Sequence, residues 1–213
     1  FRLGTEVATV DQAGDRATGV TLADGSTVAA DLVVVNADLP HAYKRFLGQP
    51  APGDEKFKYT CGAFLMFLGA KKKFPAILHH NLIVPKDLKA CMDDIFKHKR
   101  VPADPAYYIC NPSKTDPSLA PADGENIYIL VPVPHEVEGT DWTVEGPKLR
   151  DKMYERLEAF GLKGLRDSVV CEKIMTPREF TLDLRCEKGA AFGLSHDMDQ
   201  VGWLRPHNRH ASL

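Results

Sequence analysis

The sequence predicts an α+β fold, in which a sheet of antiparallel or mixed strands packs with helices and is attached to part of an α/β domain. Three observations support this. Residues 1–36 have the pattern of a β-meander that ends in a continuous apolar run at 32–35. A break at 49–53, with two prolines and a glycine, follows as the clearest linker. Beyond it, strand patterns and helix patterns mix without regular alternation.

The first four predicted strands lie at residues 6–10, 17–22, 27–30 and 32–35. The second alternates apolar and polar side chains, as a half-buried strand does. Asp24-Gly25 predicts a hairpin turn, because glycine accepts the positive φ that such turns require. The fourth strand is apolar on both faces. We therefore expect it to lie inside a parallel sheet with helices on either side.

The middle of the chain carries further strand patterns, at residues 61–68, 77–84, 106–110, 127–131 and 169–174. Helices are predicted at 86–99 and 145–160, from apolar residues at helical spacing, with Gly161 ending the second. A short helix is expected after Thr176, which supplies the N-cap, with Glu179 completing a capping box.

Composition excludes several classes of function. The 213 residues are 44% hydrophobic and 26% charged, with a net charge of -2, so the chain can bury a core and lacks a broad nucleic-acid surface. No apolar run reaches the roughly 18 residues of a membrane span. The five cysteines include no CxxC pair, which favours a reducing compartment. Because the chain opens without Met, directly in a strand, we expect a piece of a longer protein.

No metal site and no hydrolytic site is expected. His79 and His80 are adjacent, so in a strand their rings would point to opposite faces. The later candidates also lack the close sequence spacing that is typical of metal ligands; they are His196, Asp197, His207 and His210. Ser195 and His196 are neighbours, but no GxSxG elbow occurs. The chain contains neither GxGxxG nor GxxxxGK[ST], so spacing alone does not predict a dinucleotide site.

Four segments in order resemble one enzyme family. Residues 105–121 (PAYYICNPSKTDPSLAP) carry a TDPS-x-AP stretch, and 19–38 carry a GV-L-DG to VVVNAD stretch. Residues 176–180 read TPREF, and 192–208 read FGLSH, Gln200 and RP-x-N, with Asp197 in place of the usual Asn. Together they resemble the phytoene desaturases of bacteria and fungi, which are FAD-dependent members of the amine-oxidase-like superfamily.

The resemblance implies a domain organisation. Residues 1–40 would belong to a partial Rossmann-like FAD-binding domain, 41–190 to a substrate-binding domain, and 191–213 would return towards the FAD-binding domain. Val7 would meet the adenine through its main chain, and Asn36 and Ala37 would lie near the ADP half of FAD. The strands of the substrate domain would form a floor for a long apolar polyene, with the phosphate-binding fingerprint outside this chain.

The implied reaction removes hydrogen from an isoprenoid chain by hydride transfer to flavin, with loss of a proton from the neighbouring carbon. His196 and Arg205 are the candidate catalytic residues near the reactive end. A carotene is insoluble in water, so we expect a peripheral enzyme on the cytoplasmic face of a membrane, with the basic turn at 71–73 and the 86–99 helix as candidate contacts.

Three alternatives stay open. A sibling activity, carotenoid isomerase or retinol saturase, would share the fold and the cofactor. An isolated substrate domain would bind lipid without FAD and without catalysis. A hydrolase would use Ser195 and His196. Oligomeric state is not predicted.

Overall fold

The computed structural model describes residues 1–136 and 140–207, and within them the chain forms eight strands and five α-helices. The strands are β1 (Val7–Ala13), β2 (Arg16–Leu22), β3 (Thr27–Ala29), β4 (Gly62–Ala70), β5 (His80–Ile83), β6 (Tyr107–Cys110), β7 (Glu125–Val133) and β8 (Val169–Met175). The helices are α1 (Leu39–Phe46), α2 (Leu88–Phe96), α3 (Trp142–Phe160), α4 (Leu165–Ser168) and α5 (Pro177–Leu182). Helices beside antiparallel sheets confirm an α+β fold.

The chain divides into two compact units. The first contains residues 1–60, 185–187 and 193–213, and the second contains 61–184 and 188–192. The division follows Thr60, so α1 and the 49–53 break belong with the amino-terminal meander rather than with the large sheet. The assignment of these segments to a cofactor domain and a substrate domain stays a prediction.

The first unit contains the predicted meander, with strand order β1-β2-β3 and antiparallel pairing throughout. Gly25 has a φ of 85° in the turn after β2, and its N–H donates to the Leu22 carbonyl at 3.0 Å. The side chain of Asp24 accepts from the Ser26 N–H at 2.9 Å. The Asp24-Gly25 turn was therefore predicted correctly.

The predicted buried strand at 32–35 is wrong for this structure. The segment is irregular, and Leu32 and Val34 are 77% and 83% exposed. An extended segment becomes a strand only when neighbouring strands satisfy its N–H and C=O groups. Within the described residues the meander sheet ends at β3, and no strand pairs with 32–35.

The second unit is built on a five-stranded antiparallel sheet with the order β5-β6-β7-β4-β8. The long pairing of β4 with β7 runs without a register shift from Gly62 opposite Val133 to Ala70 opposite Glu125. β8 pairs with the other edge of β4. All the strands predicted in this region are present, with altered ends.

One face of this sheet carries the hydrophobic core. Alternate residues of β4 and β7, such as Phe64, Met66 and Ile129, are fully buried. Met153 and Leu157 of α3 belong to the same cluster and are also fully buried. α3 begins at Trp142, earlier than predicted. Its N-cap is Asp141, whose side chain accepts from the Thr143 N–H, and it ends at Gly161.

The other predicted helices are also present. α2 buries Cys91 and Ile95 on its apolar stripe. α5 begins with the predicted capping box, in which Glu179 accepts from the main chain and hydroxyl of Thr176. Among residues 1–136 and 140–207, no helix combines the length and the apolar character needed to cross a bilayer.

A buried carboxylate holds the end of the β4–β7 ladder. Glu125 is 3% exposed and pairs with the ammonium of Lys114 at 2.8 Å. It also accepts from the buried Asn111 amide at 2.7 Å and from the Phe74 N–H at 3.2 Å. A buried charge is tolerated only with such partners, so these bonds join the loop after β6 and the segment after β4 to β7.

We predict that Glu125→Ala lowers the free energy of unfolding by about 2–4 kcal/mol, because it leaves the buried Asn111 amide and the Phe74 N–H without this acceptor. Urea unfolding followed by circular dichroism measures the change. The control is Asp31→Ala, which removes only the exposed ion pair with Arg16 at 3.2 Å and should cost at most about 0.5 kcal/mol. Equal stability losses in the two variants would contradict a structural role for Glu125.

Candidate functional site

The second face of the five-stranded sheet is partly exposed to solvent, although Leu65 and Met175 on it are buried. Residues opposite one another in register share a face, so two rows of side chains cross all five strands on the side away from the core. We call this surface the open face. Its first row, from β5 to β8, is His80, Cys110, Tyr128, Phe67 and Lys173, and its second row is Leu82, Tyr108, Leu130, Leu65 and Met175.

The open face is mainly apolar and aromatic in its centre. Phe67 is 36% exposed and Leu82 is 72% exposed, whereas Leu65 is buried. The rings of Phe67 and Tyr128 lie 5.2 Å apart, and Tyr128 meets Tyr108 edge-on at 6.3 Å. A hydrogen bond with the Cys110 side chain raises the pKa of Tyr108 to about 12, so its hydroxyl stays neutral. The centre of this surface therefore carries no charge.

A cavity of about 480 Å³ extends from Phe67 towards the ends of β4 and β8. Its walls come from β4, β8 and the loop before β7, and include Gly69, Leu119, Pro121 and Cys171. A Cβ added to Gly69 would lie 2.5 Å from the Cys171 sulfur, so glycine keeps this wall open. A mostly apolar cavity of this size suits a slender hydrophobic ligand.

The carboxy-terminal motif forms a hydrogen-bonded brace within the first unit. The buried Gln200 accepts from the Lys58 N–H at 2.9 Å and donates to the Lys58 carbonyl at 2.7 Å. Arg205 donates to the carbonyls of Ser195 and Leu194, at 3.2 and 3.3 Å. His196 is exposed on the segment that these bonds hold. Asn208 and His210 lie outside the described residues.

This geometry distinguishes the two predicted catalytic residues. The described contacts of Arg205 are with main-chain carbonyls, so it positions the segment that carries His196. The exposed ring of His196 is accessible to a reacting group. The hydroxyl of Ser195 is buried and accepts from Gln200 at 3.3 Å, which gives it a structural role.

Asn36 and Ala37 are exposed and immediately precede α1. The next residue, Asp38, accepts from the Glu187 N–H at 3.0 Å instead of capping the helix. Burial raises the pKa of Asp38, with the nearby Glu187 carboxylate adding to the effect and the hydrogen bond opposing it. These contacts fix the segment that holds Asn36 and Ala37 against residues 185–187.

Val7 begins the edge strand β1 and lies opposite Leu22 in the β1–β2 pairing. The end of α1 is tied beside it, because Arg45 donates to the Ala8 carbonyl at 2.9 Å and approaches Glu6 at 3.7 Å. Val7, Asn36 and Ala37 thus belong to one unit. Their contact with a nucleotide stays a prediction.

The described residues fit a flavin nucleotide only in part. Contact of an adenine or a ribose with the main chain of Val7 and of the 36–37 segment is a prediction from the sequence. A pyrophosphate needs a helix start rich in free N–H groups, but α1 begins with the Asp38 carboxylate and has proline at position 40, which lacks an N–H. With no glycine-rich fingerprint in the sequence, this chain does not supply the phosphate cradle.

The prediction that the rings of His79 and His80 point to opposite faces is wrong. Their rings stack at a centroid distance of 4.1 Å. His79 precedes the first residue of β5, so the alternation of a strand does not apply to it. The two side chains and Cys110 form a cluster that the sequence does not reveal, because it depends on the pairing of β5 with β6.

Comparison with known proteins defines the class. Residues 1–71 match the family described as flavin containing amine oxidoreductase. A solved oxidoreductase from Methanosarcina mazei superposes on 81% of this chain, covering 37% of its own length, with a TM-score of 0.50 at 15% identity, which shows similarity of fold. Residues 1–71 therefore match the flavin amine oxidoreductases in sequence, and most of the chain shares the fold of that solved oxidoreductase.

Curated relatives show which enzymes within this class the chain is similar to. The zeta-carotene-forming phytoene desaturase of Myxococcus xanthus is 40% identical over 100% of this chain, which covers 42% of that protein. The lycopene-forming phytoene desaturase of a Paracoccus species is 34% identical over 99% of the chain, which covers 44% of it. Over its whole length the chain is similar in sequence to phytoene desaturases, and it spans less than half the length of these relatives.

We predict that Gln200→Ala opens the brace locally. Loss of both bonds to Lys58 should cost about 1–3 kcal/mol, which corresponds to roughly 5- to 150-fold faster exchange of the Lys58 amide. Hydrogen–deuterium exchange with mass spectrometry measures this rate. His196→Ala is the control and should change the rate by less than about threefold, because that side chain is exposed. Unchanged exchange in Gln200→Ala would show that the brace does not hold this segment.

Proposed function

We propose that the protein containing this chain is an FAD-dependent carotenoid desaturase, and that the open face is the floor on which the isoprenoid chain lies. The observation that carries the proposal is the pair of side-chain rows across all five strands, which join a mostly apolar cavity. The names of the relatives support the reaction and the substrate class. FAD, when bound, supplies the hydride acceptor.

The shape of the surface suits an extended polyene. A row crosses five strands spaced about 4.8 Å apart, so it spans roughly 19 Å, which matches a long stretch of conjugated chain. Phe67, Tyr108 and Tyr128 offer ring faces and edges to an apolar π-system. Such apolar contacts hold the substrate by excluding water from it. They also fix which of its carbon atoms lies at the reacting position.

Polar groups at the two ends limit where the apolar chain can lie. Lys173 ends the first row at β8, and His80 ends it at β5. Burying either side chain under a hydrocarbon would cost desolvation energy, whereas Phe67 and Tyr128 between them would gain from burial. The substrate is therefore expected to cover the middle strands and to enter the cavity beside Gly69.

The first unit has a different role in this proposal. Residues 1–40 contribute to a Rossmann-like FAD domain. Val7, Asn36 and Ala37 then contact the adenine half of the cofactor. Arg205 holds the 194–196 segment so that His196 can accept the proton released during desaturation, a general-base role that histidine side chains often fill.

The floor is tested with Phe67→Ala in the full-length enzyme. Loss of one aromatic contact should lower kcat/KM for phytoene about tenfold or more, with the flavin spectrum unchanged. The matched control is Phe160→Ala. Phe160 has a similar exposure, at 44%, but lies at the end of α3, the helix that packs on the core side of the sheet. Equal effects in the two variants would refute the open face as the floor, whereas the relatives' reaction could still hold.

We also propose that the enzyme takes its substrate from an anionic membrane surface through the basic turn at 71–73. Lys71 lines the cavity, and Lys71 and Lys73 are exposed. Lys72 is less available, because it donates to the Lys163 carbonyl at 2.6 Å. Lysine near anionic headgroups contributes about 1 kcal/mol to binding.

Lys71→Ala combined with Lys73→Ala should therefore weaken sedimentation with phosphatidylserine vesicles about 30-fold. The control combines Lys56→Ala and Lys148→Ala, which lie elsewhere and are also exposed. Equal sedimentation of both double variants would place any membrane contact away from this turn.

A further inference from the structure

The cluster at the β5 end of the open face contains three potential metal ligands. One ring nitrogen from each of His79 and His80 and the sulfur of Cys110 lie within 4.8 Å of one another. His80 and Cys110 are directly opposite in the β5–β6 pairing. Neighbouring main chain is fixed as well, since the His79 carbonyl accepts from the Asn111 N–H at 2.7 Å.

The surrounding hydroxyl groups orient both rings. The Nδ1 of His79 is 2.6 Å from the Thr115 hydroxyl, and the Nδ1 of His80 is 2.6 Å from the Tyr108 hydroxyl. When each Nδ1 donates its proton to the hydroxyl, the lone pair lies on Nε2, the nitrogen free to bind a metal. Such outer hydrogen bonds are a usual feature of histidine ligands.

The Tyr108 hydroxyl lies beside two of the three ligands. Tyr108 and Cys110 are two residues apart on β6, so their side chains share a face, and the hydroxyl contacts the Nδ1 of His80 at 2.6 Å. It can therefore accept the Nδ1 proton of His80 and leave the Nε2 of that ring to bind a metal.

We propose that His79, His80 and Cys110 bind one Zn²⁺ ion, with a fourth position open to water. Two imidazoles and one thiolate form a set that Zn²⁺ accepts, and three protein ligands are typical of sites with an open position. Tetrahedral zinc with bonds of 2.0–2.3 Å needs ligand atoms about 3.5 Å apart. The ligand atoms must therefore approach one another by up to about 1.3 Å when the ion binds.

This site would join the edge strand to its neighbour. The ion would link β5, which pairs only with β6 among the described strands, to the rest of the sheet. Since His80 and Cys110 belong to the first row of the open face, the ion would also form a polar stop at one end of that row. The proposal does not depend on the identity of the substrate.

The test uses the purified full-length protein, stripped of metal and titrated with Zn²⁺ and then with Co²⁺ as a spectroscopic probe. We expect elemental mass spectrometry to find one Zn²⁺ ion retained per chain. The Co²⁺ difference spectrum should show a thiolate-to-cobalt charge-transfer band and the visible bands of a tetrahedral ion. Flavin content and circular dichroism confirm that each variant is folded.

Four variants and two controls locate the ion. Cys110→Ser should abolish the charge-transfer band, and both it and His80→Gln should weaken binding more than 100-fold. Thr115→Val and Tyr108→Phe, which remove only the orienting hydroxyls, should weaken it about 10- to 100-fold. Cys171→Ser and His98→Gln, both at exposed positions away from the cluster, should leave binding unchanged.

Two outcomes would overturn the proposal. One is retention of less than one Zn²⁺ per chain after removal of free metal. The other is a cobalt spectrum that lacks the thiolate band or that persists in Cys110→Ser. In either case the stacked imidazoles and Tyr108 are a packing arrangement of the sheet edge.

Discussion

The register between β4 and β7 is the constraint on which the second unit depends. Nine consecutive residue pairs, from Gly62 with Val133 to Ala70 with Glu125, fix which side chains face α3. A slip by one residue would exchange the two faces, placing Phe67 and Tyr128 in the core and exposing Phe64 and Ile129. The same ladder sets the rows of the open face, so the core and the proposed floor are determined together.

Both ends of this ladder are held by specific contacts. At one end, the buried Glu125 satisfies three donors. At the other, a Cβ on Gly62 would lie 2.9 Å from the Pro134 carbonyl, so only glycine allows this close approach. Such contacts make slippage costly, because it would leave a charge unpaired or force atoms to overlap. The proposed floor for a flexible hydrocarbon would need this rigidity.

Local signals were sufficient to predict most elements. The Asp24-Gly25 turn, the capping box at Thr176 and the stop at Gly161 each depend on residues within a few positions, and each is present. The apolar run at 32–35 failed for the opposite reason. Whether this segment forms a strand depends on other strands lying beside it. Within the described residues, no strand pairs with it.

The candidate site was predictable only in part, for the same physical reason. Motif order identified the family, because the quoted segments carry it directly in sequence. The rows of the open face and the cluster around Cys110 bring together residues far apart in the chain, and only the strand order and register show them. Gln200 was noted as a motif residue, but its bonds to Lys58 required the fold. The roles of Val7, Asn36, Ala37 and His196 stay predictions.

The most direct test of the open face as the polyene floor is photoaffinity labelling of the full-length, flavin-loaded protein with a diazirine-bearing isoprenoid, followed by peptide mass spectrometry. We expect adducts on β4, β6 and β7, at Phe67, Tyr108 and Tyr128, and their suppression by excess phytoene. Phytoene-sensitive adducts confined to α3, with none on these strands, would contradict the account.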